Sequence, residues 1–288
     1  MKNKMNDIHL EAERSIIKTY RKELWKPFNK AIEDYQLISK GDKICVCISG
    51  GKDSMLLAKL FQELKRHSDY EFEVEYLVMN PGYSSLNLEV IKNNLKKLNI
   101  DAHIVNTEIF AIADHMDKEH PCYLCARMRR GSLYKCAKKL GCNKIALGHH
   151  FDDVIITTLM NMLNSGSFQT MLPKLKSTNN KGMELIRPMY LIHEEDVIRW
   201  QNHNNLSFIQ CACRLTESIG NEEHQLESQR YQTKLLIQEL KKVNPQIEYN
   251  IFKSAENVNV NMILGYKKGG KKYNYLDEFD TNRVESEK

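Results

Sequence analysis

Lys43-Ile44-Cys45-Val46-Cys47-Ile48-Ser49-Gly50-Gly51-Lys52-Asp53-Ser54 decides the fold, because an apolar strand-length run passes through two glycines into a helix. That helix is expected from Ser54, with Leu56, Leu57, Leu60, Phe61 and Leu64 on its inward face. A glycine turn there brings backbone N–H groups to a helix N-terminus, where the helix dipole and the unpaired donors favour a phosphate. Lys52 adds a point charge, Ser49 and Ser54 add hydroxyls, and Asp53 offers oxygen to Mg²⁺. An ordinary turn with a helix cap accounts for one glycine and one serine, not for the hexapeptide. It is not a Walker loop: Asp53 follows the lysine, and no glycine stands five places before Gly51.

Outward from this stretch the pattern alternates. Apolar runs at Val74–Met79, His103–Val105 and Lys144–Leu147 are expected strands, and helices are expected near 88–98, 126–140 and 152–163. Strands separated by helices of ten to fifteen residues predict an α/β fold, a parallel sheet with helices on both faces. Ile17, Tyr20, Leu24, Phe28 and Ile32 recur at spacings of three and four and predict one amphipathic helix within 12–38, packed on the domain that follows. Residues 164–182 read as a long loop, Met183–Ile186 as a short apolar piece, and 194–204 and 222–243 as helices. The expected division is an N-terminal helical segment (1–40), a nucleotide domain (41–190), a helical C-terminal region (191–265) and a disordered tail (266–288). The tail carries six basic and five acidic side chains and little to bury.

Composition narrows the class. The 288 residues are 42% hydrophobic and 27% charged with only 6 Pro, which suits a folded chain and excludes low-complexity or collagen-like sequence. No apolar run approaches a spanning helix, and the polar start has no signal-peptide core, so a cytoplasmic protein without membrane contact is expected. Net charge is +5, yet Pro121–Lys144 alone holds seven basic residues and no acid, so the remainder is net negative. This stretch is either a polyanion site or a solvated helix face.

Two further constellations carry chemistry. Gly148-His149-His150-Phe151-Asp152-Asp153 follows an expected strand, where open α/β sheets bind ligands beyond the carboxyl ends. Its aspartates serve as helix caps and also suit a metal-nucleotide site. Eight cysteines in a cytosolic chain of this length are not a disulfide framework. Cys122-Tyr123-Leu124-Cys125 has chelating or redox spacing, and Cys211-Ala212-Cys213 supplies one or two more ligands, a set that equally suits structural zinc. Cys45, Cys47 and Cys136 read as core residues, and Cys142 is left open.

The hexapeptide, the cysteine pair, the GHHFDD turn, Lys30-Ala31-Ile32 and Gly41-Asp42 together resemble the PP-loop (N-type) ATP pyrophosphatases. Within them the chain resembles the tRNA-cytidine 2-sulfurtransferase family from about Lys22 through Gly265. The resemblance implies an adenine nucleotide alpha hydrolase-like fold and an ATP-dependent tRNA thiolase that adenylates a base carbonyl and releases pyrophosphate. It implies ATP at Ser49, Gly50, Gly51, Lys52, Asp53, Ser54, Gly148 and His149, with Mg²⁺, and catalytic roles for Lys52, Asp53, Asp152 and Asp153. It further implies a [4Fe-4S] cluster on Cys122, Cys125 and Cys211, with Cys213 as the alternative third ligand because the family's C-x-x-C is C-x-C here. Sulfur would come from a cysteine-desulfurase-type donor; a homodimer is one open option. Ile156 stands where the family usually has Glu. The rival readings are an adenylating ligase with an amine nucleophile, lysidine-synthetase-like, and a zinc-stabilised RNA-binding protein with a decayed ATPase.

Overall fold

The structure, a computed structural model, describes residues 2–116, 121–209 and 229–279. Six strands form one sheet: β1 (Lys43–Ile48), β2 (Glu73–Asn80), β3 (His103–Asn106), β4 (Lys144–Ala146), β5 (Lys174–Lys176) and β6 (Glu184–Ile186). Their order is β3-β2-β1-β4-β6-β5, and every pairing is parallel except the antiparallel β5–β6 edge. The chain moves outward from β1 through β2 to β3, then crosses to the other side of β1 at β4. The sheet's switch point therefore lies beyond the ends of β1 and β4, where such sheets open a crevice.

Helices cover both faces, as the strand–helix alternation predicts. They are α1 (Lys2–Ile17), α2 (Lys26–Asp34), α3 (Lys52–His67), α4 (Ser85–Lys97), α5 (Ile109–Met116) and α6 (Pro121–Lys139). There follow α7 (Phe151–Ser165), α8 (Glu194–His203), α9 (Gln229–Val243) and α10 (Ile247–Ser254). Side-chain alternation along β1 divides the core. Ile44, Val46 and Ile48 join the large cluster with α3, whereas Cys45 and Cys47 point to the opposite layer with Tyr134 and Ala137 of α6. Cys142 is buried in that second layer, where a hydrogen bond to Cys45 and burial push its thiol up; it is a protonated core residue.

Several expectations on element boundaries are corrected. The single helix expected within 12–38 is two helices joined by a π-turn at Arg21–Trp25. Pro27, near the start of α2, has no N–H to give and is tolerated at a helix start but not in its interior. Of the expected stripe, Leu24, Phe28 and Ile32 are buried while Ile17 and Tyr20, before the break, are only half-buried, and Ile16 takes the core position in α1. The expected 164–182 loop contains β5, and α5 and α10 were not anticipated. The helix expected over 222–243 is α9 from Gln229, its beginning lying outside the described residues. The expected disordered tail is instead, in its described part, a hairpin of β7 (Gly265–Lys268) and β8 (Lys271–Asn274).

Packing of the N-terminal helix rests on an unusual ion pair. Lys59 of α3 is fully buried and meets Glu13 of α1, while its Nζ also donates to the Leu98 carbonyl at 2.9 Å. Burial pulls the lysine's pKa down, against the pull of Glu13. Removing one partner strands a buried charge, so Glu13→Ala is expected to lower unfolding stability by about 3–5 kcal/mol. The double variant Glu13→Leu, Lys59→Met should recover most of it. Urea titrations check both; a loss below about 1 kcal/mol in the single variant contradicts the role.

Candidate active site

The turn after β1 is built by its glycines. Gly50 has φ +92°, and a Cβ there would lie 2.6 Å from Ile91 Cγ1 and 2.8 Å from Ile209 Cδ1. Neither the backbone nor the space admits another residue, and Gly50→Ala is expected to cost about 1–3 kcal/mol and to abolish nucleotide binding. Thermal melts and nucleotide titration check this; wild-type affinity contradicts it. Across the switch point, a Cβ on Gly148 would stand 3.1 Å from the Asp53 carbonyl oxygen, so the two loops meet backbone to backbone.

The serines lock the turn. The Ser54 hydroxyl donates to the Gly51 carbonyl at 2.9 Å and accepts from the Ser49 N–H at 3.1 Å. The Ser49 hydroxyl donates to Ser54 Oγ at 3.1 Å. Ser54 thus spends its proton inside the loop.

Around the turn lies a compact charge network. Lys52, the first residue of α3, reaches Glu194 Oε1 at 3.0 Å and Asp53 at 3.3 Å. Glu194 opens α8, and its N–H donates to Asp152 Oδ2 at 2.7 Å. Lys234 of α9 bonds the other Glu194 oxygen at 2.5 Å, and Arg230 of the same helix pairs with Asp153. The His150 N–H donates to Asp153 Oδ2 at 2.9 Å, capping α7 as sequence suggested. The His150 ring stands 3.6 Å from both Asp152 and Asp153 and 3.8 Å from Asp53.

Burial sets the protonation states. It pushes the Asp53 pKa up, against Lys52 and His150, and one oxygen, Oδ1, is buried without a hydrogen-bond partner among the described residues. For Asp152 the same burial is outweighed by His150 and the Glu194 N–H, which bring it to about 2. Burial also opposes charge on His150 but is outweighed by three carboxylates, so its pKa rises. His149, half-buried and less favourably placed, is pulled down by desolvation to about 4 and is neutral at pH 7. Ile156 is buried in the core. The carboxylates gathered at the loop are Asp53, Asp152, Asp153 and Glu194.

A cavity of about 430 Å³ opens beside this network, a size suited to a small ligand. One wall is Ser49, Asp53, Ser54, Gly148, His149 and Asp153; the other is Ala126, Arg129, Arg130 and Leu133 of α6. Helix α6 begins earlier than expected and contains both Cys122 and Cys125, one helical turn apart. Cys125 directly precedes the cavity-lining Ala126. Cys211 and its alternative Cys213 lie outside the described residues, yet Ile209, two positions before Cys211 in the sequence, already packs on Gly50.

The structure therefore brings the ten loop and turn residues together, with Lys52 and Asp152 set against Glu194 beside the cavity. Sequence reading missed Glu194, Arg230 and Lys234. Their only local signal is Arg230 and Lys234 four apart, sharing one face of a helix.

Comparison with known proteins agrees with this architecture. A family model described as the PP-loop domain matches residues 18–218. The tRNA-cytidine(32) 2-sulfurtransferase of Geotalea uraniireducens (strain Rf4) is 34% identical over 239 residues, covering 82% of this chain and 91% of that protein. The protein of the same name from Geobacter sulfurreducens is 32% identical, covering 84% of this chain and 92% of its own length. Among solved structures, the U34-tRNA thiolase NcsA from Methanococcus maripaludis with its [4Fe-4S] cluster superposes with a TM-score of 0.62. It shares 21% identity, covers 80% of this chain and 76% of that one, and supports the fold.

A parallel sheet with its glycine loop at the switch point defines a PP-loop protein. The chain belongs to the PP-loop domain family and, within it, to the tRNA-cytidine(32) 2-sulfurtransferase family. Among the described residues, no helix is long and apolar enough to cross a membrane.

Proposed function

We propose that the protein is an ATP-dependent tRNA thiolase acting on C2 of a cytidine. The observation that carries this reading is the shared cavity: the glycine loop forms one wall, and the helix bearing Cys122 and Cys125 forms the other. An amine-nucleophile ligase needs only the first wall. A zinc-stabilised RNA-binding protein needs no intact loop.

ATP's β- and γ-phosphates sit on the N-terminus of α3, where Lys52 exchanges its pairing with Glu194 for phosphate oxygen. Lys234 retains Glu194 during that exchange, so no carboxylate is left bare beside the anion. Asp53 fits Mg²⁺, since its buried Oδ1 makes no hydrogen bond among the described residues and is held by the Lys52 ammonium at 3.3 Å, which turns to phosphate when ATP binds. Bound there with Asp153, the ion would neutralise phosphate charge. The cytosine C2 oxygen attacks the α-phosphorus and pyrophosphate leaves, its developing charge met by the loop N–H groups and Lys52. This converts a poor oxygen leaving group into AMP. A sulfur nucleophile then adds at C2, and the C–O bond breaks to release AMP. Neutral His149, on the cavity wall, can donate a ring N–H hydrogen bond to the departing phosphate or accept a proton without first losing one.

The family implies a [4Fe-4S] cluster, which Cys122, Cys125 and Cys211 would hold and which would supply sulfur to the activated base. Arg129 and Arg130 extend from the same helix into the cavity and would meet the phosphates of the RNA around the target base. A cysteine-desulfurase-type partner supplies the sulfur.

Anaerobic purification with iron, zinc and acid-labile sulfide analysis tests the ligand set. About four irons and four sulfides per chain are expected, and stoichiometric zinc without sulfide overturns the cluster assignment.

A further inference from the structure

The C-terminal hairpin is not used by the chemistry above, and its sequence works against its own stability. Gly269 and Gly270, at φ +59° and +81°, make a two-residue turn of the kind that needs both residues in the left-handed region. The register then places Lys267 opposite Lys272 and Lys268 opposite Lys271. Like charges directly opposite one another destabilise a strand pair, and a lone two-stranded hairpin is marginal to begin with. Every residue of both strands is exposed, and none of the four lysines has an ion pair among the described residues. Such an arrangement is relieved by a polyanion running over the tip.

The base of the same hairpin is aromatic. Tyr266 and Tyr273 stack across the strands, ring centroids 4.8 Å apart and 9° from parallel. With Tyr275, Phe279 and Asn261 they line a groove of about 750 Å³. Asp277 also lines it, but its carboxylate is engaged, accepting from the Asn274 N–H at 2.8 Å in the cap that follows β8. Flat aromatic surfaces beside a row of cations are how proteins hold single-stranded nucleic acid, bases stacking while phosphates meet the charges.

We infer that Asn261–Phe279 is an RNA-docking element, its groove taking an unstacked nucleobase and its four lysines the adjoining phosphates. The inference rests on the tRNA-thiolase reading for the identity of the RNA. Charge complementarity selects RNA over a second copy of the chain, whose net charge is also positive.

The test uses the full-length, cluster-loaded protein, with total tRNA and a 12-nucleotide oligouridylate as probes, measured by fluorescence anisotropy from low to high salt. The variant Lys267→Ser, Lys268→Ser, Lys271→Ser, Lys272→Ser removes only exposed charge and relieves repulsion, so its melting temperature should not fall. Its Kd for both RNAs should rise at least about tenfold, and the slope of log K against log salt should shrink by about 3, near 0.7 per lost contact. Tyr275→Ala should weaken oligouridylate without changing that slope. Wild-type affinity and slope in the lysine variant overturn the inference. So does a change in sedimentation of the free protein with RNA affinity unchanged, which would give the face to a second copy. The outcomes separate the two readings: hairpin-dependent RNA binding without any thionucleoside product sinks the thiolase reading and leaves the hairpin standing. Thiolation at a wild-type KM for tRNA in the lysine variant does the reverse.

Discussion

Lys52→Ala is expected to lower the rate of pyrophosphate release by about 10²–10³, the cost of removing one preorganised donor from a developing anion. The position of the ammonium sets this cost. Lys52 is the first residue of α3, its Nζ is 3.0 Å from Glu194, and the carboxylates around it hold it firmly charged against the pull of burial. Losing it removes a cation from the phosphate position and leaves Asp53 without its lysine facing the incoming anion, while Glu194 keeps Lys234. Lys52→Arg is a sharper variant, because it keeps the charge but not the compact reach. It should recover only part of the rate. ATP-dependent pyrophosphate release at the wild-type rate in Lys52→Ala contradicts the loop assignment.

Cys125→Ala is expected to abolish thiolation while leaving ATP–pyrophosphate exchange within a few-fold of wild type. Outer-shell partners of a metal site cost roughly 10–100-fold on removal, and loss of a direct ligand should exceed that. Cys125 lies on α6, across the cavity from the glycine loop to which the proposal gives phosphate, so the two half-reactions should separate. Circular dichroism should be unchanged, because a half-buried cysteine to alanine change leaves almost no void. Loss of both half-reactions together would instead make the cysteine structural, as a zinc site would.

The local structures legible in sequence are those whose partners are close along the chain. Ser49–Ser54 and Gly148–Asp153 each carry their geometry within six residues, as a strand end, a turn and a helix start. The strand–helix alternation likewise contains the parallel sheet, since crossover connections leave little topological choice. Glu194, Arg230 and Lys234 were illegible because they reach the loop from α8 and α9, and nothing local distinguishes them from solvated helix charges. The break between α1 and α2 was hidden by a stripe that continues through the π-turn, although Pro27 marked it. The hairpin was missed for a different reason: KKGGKK has the composition of a disordered tail, and only the two glycines at the turn announced the reversal. Cys142 needed the packing layer beneath α6 to be read as core.

The central claim is that one cavity couples ATP cleavage at the glycine loop to sulfur transfer from the cysteine helix. The most direct measurement is stoichiometry under anaerobic conditions, with cluster-loaded protein, ATP, Mg²⁺, sulfide and unmodified tRNA. Nucleotides are separated by chromatography, and the digested tRNA is analysed by nucleoside mass spectrometry. The account predicts AMP, pyrophosphate and 2-thiocytidine in equal amounts, with no ADP. ADP as the product, or AMP released without any thionucleoside, would contradict it.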